Sequence, residues 1–224
     1  ETFSLGVEYA FFDTWEASIN YFDVTLTNSI EYTSAQDQLN VDFQSQGGNP
    51  AVQRDANGLV VEISAGFQNG GTDFNFNGVD YQLGGVVETD FGSFRLDLKA
   101  SNYLTYDYEL TYGTGELGDA VGTLGFPEWR STAFVSWSLD KWFVNLSADY
   151  IGESEEKIGD EKFDSWHILN ASLGYSLDAM GTIRVGANNL TDEDPLLNEF
   201  GSMADEYQYP ITGRVVYVDY TLDF

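Results

Sequence analysis

No cysteine occurs among the 224 residues, and histidine occurs once, at His167. These absences exclude thiolate metal sites, disulfides and cysteine nucleophiles, and they argue against a histidine-built zinc centre or a Ser-His-Asp triad. Basic residues are scarce: 9 Lys and Arg stand against 37 Asp and Glu, for a formal charge of −28. A phosphate backbone demands a basic face, so nucleic acid is excluded as a partner. No run of 18 apolar residues exists, which excludes a transmembrane helix. Proline is rare, at four residues, and helical periodicity is almost absent. The chain opens Glu-Thr-Phe, with no Met and no signal-peptide pattern, and is expected to be a fragment of something longer.

What is present is aromatic, acidic and alternating. There are 14 Tyr, 16 Phe and 5 Trp. Ala133, Val135, Trp137 and Leu139 alternate with Thr132, Phe134, Ser136 and Ser138. Trp142, Val144, Leu146, Ala148 and Tyr150 alternate with Phe143, Asn145, Ser147 and Asp149. A strand with one apolar and one polar face gives this period of two. The rule predicts about nine strands, over roughly 2–11, 15–32, 73–88, 92–108, 128–139, 141–152, 163–177, 181–189 and 211–224. A membrane-crossing strand needs about 9–11 residues, and these fit or exceed that length.

The connections alternate too. Short ones lie at Phe12–Thr14, Thr89–Phe91, Asp140 and Asp178–Gly181, and long ones at about 33–72, 109–127, 153–162 and 190–210. Short turns at one end and long loops at the other mark an outer-membrane barrel. Aromatics gather near strand ends: Tyr9, Phe11, Phe12 and Trp15, then Trp137 and Trp142, and at the other end Tyr103, Tyr106, Tyr108 and Tyr112. They predict two girdles at headgroup level, with outer-membrane lipid as the surrounding partner. The fold class is therefore all-β, a membrane-spanning antiparallel up-and-down β-barrel. Backbone groups in lipid need partners within the sheet, so the sheet must close. Nine is odd, and the remaining strands are expected upstream or on another chain.

Few residues suggest chemistry. Asp192, Glu193 and Asp194, with Asp205 and Glu206 further on, offer hard oxygen ligands for Ca²⁺, but no EF-hand spacing is present and a solvated acidic loop is the preferred reading. Glu153, Glu155, Glu156, Asp160 and Glu161 read the same way. His167 is expected at an interface. Arg95, Lys99, Arg130 and Arg184 fall on the polar sets, as do Asp97, Asp149, Asp219 and Asp223, and ion pairing inside a lumen is expected of them. No spacing singles out a catalytic carboxylate pair. No enzyme activity and no cofactor are expected.

Several stretches carry a family resemblance. Phe3 to Tyr9 followed by Trp15 to Phe22 resembles a mid-barrel hairpin of TonB-dependent receptors. Asn69 and Asn77-Gly78-Val79-Asp80 resemble the returning strand, and Phe126-Pro127-Glu128-Trp129-Arg130 the entry to a later one. Gly186-Ala187-Asn188-Asn189-Leu190-Thr191-Asp192-Glu193-Asp194-Pro195 resembles that family's G-x-x-N-L-[FT]-D-x-x-P, and Tyr209 to Gly213-Arg214 its Y-[DP]-x-x-G-R. Val216, Val218, Tyr220, Leu222 and Phe224 resemble the signal read by the barrel-assembly machinery. The resemblance covers nearly the whole chain in order. It implies that residues 1–224 are the C-terminal portion of a larger, 22-stranded barrel, with the plug, the TonB box and the early strands absent. It further implies TonB-dependent uptake of a scarce nutrient, a siderophore, a cobalamin-like compound or an oligosaccharide, with the TonB complex acting through the plug and an unknown small-molecule or glycan ligand. The expected location is the bacterial outer membrane, with the long loops outside. A passive porin-like channel and a soluble acidic surface module remain as alternatives.

Overall fold

The structure is a computed structural model that describes residues 1–69, 72–110, 113, 115–156, 161–197 and 208–222. Nine long strands form one sheet: β1 Thr2–Phe11, β2 Trp15–Leu26, β3 Phe74–Thr89, β4 Gly92–Glu109, β5 Trp129–Leu139, β6 Trp142–Ile151, β7 Trp166–Ser176, β8 Thr182–Asn188 and β9 Val215–Thr221. Each lies beside its neighbours in sequence. From β4 to β9 every adjacent pair is antiparallel. This is the up-and-down order that alternation and loop lengths predict.

The register turns the alternation into two faces. Leu96, Val135, Leu146, Ala171, Ala187 and Val216 follow one another across six strands. One residue along, Arg95, Ser136, Asn145, Ser172, Gly186 and Tyr217 form the next row and point the opposite way. A slip of one residue would exchange the two rows, so the sequence fixes register strongly. We call the apolar side outer and the polar side inner. Large outer residues such as Leu146, at 47 %, and Val218, at 70 %, are exposed, as side chains that meet lipid must be.

Short turns close four hairpins. Asp140 takes φ 51 in the two-residue turn between Leu139 and Trp142, a left-handed conformation that Asp tolerates. Outer aromatics cluster beside these turns: Tyr9 stacks on Phe11, Phe11 on Trp15, and Trp142 packs on Tyr175 at 4.6 Å between centroids. Tyr81 stacks on Trp129 towards the other end. Of the tyrosines expected there, Tyr103 lines an inner-face cavity while Tyr106 packs edge-on against Phe76. Tyr112 lies outside the described residues.

Three expectations need correction. The strand expected over 15–32 stops at Leu26, because Asn28 turns the chain at φ 52 and Ile30–Thr33 pairs instead with Gly66–Asn69. The connection expected at 33–72 carries structure of its own. Helix α1, Ala35–Gln44, starts at a capping box in which Ser34 and Asp37 satisfy each other's backbone N–H groups. A hairpin follows, Val52–Arg54 against Val60–Ile63. Buried Asp42 holds Arg54 at 2.6 Å, and Asn49 bonds Gln38. The last strand starts at Val215 rather than 211, and Phe224 and Asp223 lie outside the described residues.

The chain divides into two compact units. One comprises Glu1–Phe3, Asp23–Asn77 and Thr105–Ala120, and the other Ser4–Phe22, Gly78–Leu104 and Val121–Phe224.

Candidate functional site

The inner face carries the charged residues. Arg95 donates to both carboxylate oxygens of Asp97, at 2.6 and 3.1 Å. Arg184 stands 3.9 Å from Asp219 and 5.8 Å above the Phe143 ring. Thr132 donates to Asp149, Ser101 to Asp80, and Asn170 to Ser147. Of the four inner cations for which pairing is expected, Arg95 and Arg184 have it, Arg184 with its cross-strand partner Asp219. Lys99 and Arg130 have no carboxylate within ion-pair distance among the described residues.

Those two cations border a cavity of about 580 Å³, with Ser101, Tyr103, Trp166 and Gln208 also on its wall. Ile151, Trp166 and Ile168 also line it, and among the described residues they belong to a small apolar core with Tyr209, packed with Leu124 and Leu196. Trp166 and Tyr209 meet edge to face at 5.3 Å, and the Trp166 indole donates to the Asp194 carbonyl at 2.9 Å. An inner surface with cations, aromatic groups and hydrogen-bonding side chains can hold an anionic or polar guest.

The motif residues meet at one place. Asn189, at φ 50, accepts the Glu193 N–H and donates to the Glu193 carbonyl, both at 2.8 Å. Leu190 closes the strand through its N–H to the Leu169 carbonyl. The Asp192 carboxylate accepts the Arg214 N–H at 2.7 Å, with the Arg214 guanidinium 3.5 Å away, and a second Arg214 nitrogen donates to the Leu190 carbonyl at 3.3 Å. Gly213 is crowded by Asp192: a β-carbon there would lie 3.1 Å from its Oδ1. Pro195 follows in the same loop. Asn189, Asp192 and Arg214 thus fold the loop and tie it to the start of β9. The sequence predicted the motif but not this clamp, which depends on residues 22 apart in the chain.

Asp192, Glu193 and Asp194 form no cluster with metal-holding geometry among the described residues. Asp205, Glu206 and Asp160 lie outside them. Val216, Val218 and Tyr220 are exposed on the outer side of β9 with Leu222 just beyond it, and β9 pairs with β8 alone among the described residues. The Tyr220 hydroxyl donates to the Met180 carbonyl in the turn before β8, beside a Lys141–Asp178 ion pair. His167 faces Tyr150 on the outer side, exposed.

The profile of the family described as TonB dependent receptor-like, beta-barrel matches residues 1–190. Among solved structures, the ferric enterobactin receptor of Pseudomonas aeruginosa is similar with a TM-score of 0.62 and 15 % identity, over 96 % of this chain and 29 % of that one. A siderophore receptor of Acinetobacter baumannii gives a TM-score of 0.64 at 17 % identity, over 97 % and 30 %. A copper transporter gives 0.60 at 10 %, over 97 % and 30 %. The chain thus spans about 30 % of the length of the receptors whose fold it shares. No curated protein sequence matches it.

Proposed function

The chain belongs to the TonB-dependent receptor β-barrel family of the Gram-negative outer membrane, and from that membership we propose that it forms the C-terminal wall of a plugged transporter for a scarce nutrient. The observation that carries this reading is the division of the sheet into an apolar outer face and an inner face of paired and unpaired charge. A wall exposed to lipid on one side and to a wet lumen on the other has this division. The family consists of transporters and receptors rather than enzymes, and the inner face offers no catalytic constellation among the described residues. The work is binding and passage.

In this reading the plug and the remaining strands, to a total of 22, belong to the rest of the protein, and the TonB complex acts through the plug. Lys99 and Arg130 face the lumen and are available to a plug or an anionic cargo. Siderophores are the first cargo class to test, since two of the similar structures are siderophore receptors. The clamp of Asn189, Asp192 and Arg214 sets the geometry of an external loop. The sequence alternation of Val216, Val218, Tyr220, Leu222 and Phe224, of which Val216, Val218 and Tyr220 lie on β9, is offered to the barrel-assembly machinery as a signal.

Deletion of the gene from its native host tests the proposal. Growth on a limiting nutrient, screened first on iron-bound siderophores, should be lost, and deletion of TonB should abolish the same uptake. Uptake that survives removal of TonB would replace this reading with a passive channel. A membrane species no larger than 224 residues would remove the plug from the account.

A further inference from the structure

The unit of Glu1–Phe3, Asp23–Asn77 and Thr105–Ala120 contains a second cavity, of about 430 Å³. Its wall is apolar and aromatic: Val24, Leu26, Phe74, Phe76, Tyr106 and Tyr108. Phe76 and Tyr106 meet edge to face at 5.2 Å, which fixes both rings in the wall. Three carboxylates share the lining: Glu31, Asp107 and Glu109. Each is held by neutral donors. Ser29 Oγ donates to Glu31 at 2.6 Å, the Asn75 N–H to Asp107 at 3.0 Å, and Thr72 Oγ1 and the Gly115 N–H to Glu109 at 3.0 and 2.8 Å. Asn75 also donates to Asp23, bringing a fourth acid close. No Lys or Arg is among the described residues lining the cavity.

We infer that this cavity is a capture site for an organic cation with an apolar or aromatic portion. The volume suits a small ligand, and an apolar wall with a few polar groups is the usual composition of such a site. Charge decides the class. The faces of aromatic rings are the negative part of their quadrupole and attract cations within about 6 Å. Carboxylates held by neutral donors add the same sign, and the chain's charge of −28 adds it again at longer range. An anionic cargo would meet ring faces and carboxylates with no cation among the described lining residues. The inference goes beyond the uptake reading: it assigns a ligand class to this cavity independently of the cargo proposed for the inner face, and the binding is measured without transport.

The test uses the complete protein in lipid nanodiscs and two probes of similar size and opposite charge, benzyltrimethylammonium and benzenesulfonate, followed by calorimetric titration. Saturable binding of the cation, absent for the anion, is expected. Tyr106→Leu should weaken it about two- to fivefold, the worth of one exposed ring–cation contact, while Tyr106→Phe should leave it unchanged. Glu31→Gln, which keeps an acceptor for Ser29, should weaken it by a similar factor and reduce its salt dependence. Equal binding of both probes, or cation binding indifferent to Tyr106→Leu and Glu31→Gln, would overturn the inference. An uptake defect in cells without TonB is read separately, so loss of the transport reading and loss of this site remain distinguishable.

Discussion

The ring of Phe143 in β6 covers Gly174 in β7: a β-carbon on Gly174 would lie 2.0 Å from the Phe143 Cζ. The two are direct cross-strand partners, and Arg184 is the partner of Gly174 on the far side. The missing side chain gives the ring a place to lie and lets the Arg184 guanidinium reach over it. Tyr217 covers Gly186 in the same way, with a β-carbon there 2.5 Å from its Cζ. On the outer face Trp15 covers Gly85. Glycine otherwise weakens a strand, and an aromatic cross-strand partner restores the packing it lacks.

Gly174→Ala is therefore expected to destabilise the barrel by about 1–3 kcal/mol, the usual range for inserting volume into a filled site. The control is Gly84→Ala, whose β-carbon would meet the Asp97 Oδ1 at an ordinary 3.4 Å. Urea midpoints in lipid vesicles compare them. In a Phe143→Leu background the Gly174→Ala penalty should shrink, since two groups in contact do not act additively. Equal penalties with and without the ring would show that Phe143 is not what the β-carbon strikes.

Leu146 and Asn145 are neighbours on opposite faces of β6. Leu146→Arg should cost about 2–4 kcal/mol if its row crosses mid-membrane, while Asn145→Arg, pointing into the lumen, should be near neutral. Folding yield into vesicles and the urea midpoint read this directly. If the two substitutions are equally tolerated, the outer face does not meet lipid.

Much of this was legible in the sequence because period two survives through whole strands. Ala133 to Leu139 and Trp142 to Tyr150 showed both the strands and their outer face. The alternation of short and long connections gave the hairpin order. What stayed hidden depends on contacts distant in sequence. Nothing local to Gly174 indicates that Phe143 will lie on it. The Asn189 motif was visible, but its tie to Arg214 depends on how the loop returns. Helix α1 was missed although Ser34 and Asp37 have the spacing of a cap, because its residues, Ala35 to Gln44, carry no apolar stripe. Tyr106 and Tyr108, which line the second cavity, read in the sequence as part of a girdle, since aromatics near strand ends fit both roles.

The loop clamp makes a third prediction. Asn189→Ala removes the acceptor for the Glu193 N–H and the donor to its carbonyl, and should cost about 1–3 kcal/mol where those groups stay buried. Protease cleavage within 190–197 should rise with no change at the β5–β6 turn. Asp192→Ala and Arg214→Ala should each loosen the same loop, and the double variant should be no worse than the poorer single one. Additive effects would mean that Asp192 and Arg214 act on different parts of the structure.

The fourth prediction concerns pH and the hairpin of residues 52–63. The Leu59 N–H donates to the Asp55 carboxylate at 2.9 Å, and this bond, foremost, holds the carboxyl below its ordinary range; burial, next in size, opposes it, and Asn57 and the Gly58 N–H act with the Leu59 bond. The folded hairpin therefore binds this proton less readily than the unfolded one. Its contribution is complete above the ordinary Asp value of about 3.9 and is lost as pH falls through the lower folded value. Amide exchange checks the sign, once corrected for the intrinsic pH dependence of exchange. Protection at Leu59 and Asn57 should be constant from neutral pH down to the ordinary Asp range and fall below it. Asp55→Asn should flatten that fall while keeping the turn, because the amide oxygen still accepts. Protection that stays constant to the lowest pH in the native protein would show that the turn is held by Gly58, at φ 81, and by the ladder of Val52–Arg54 with Val60–Ile63 rather than by the charge on Asp55.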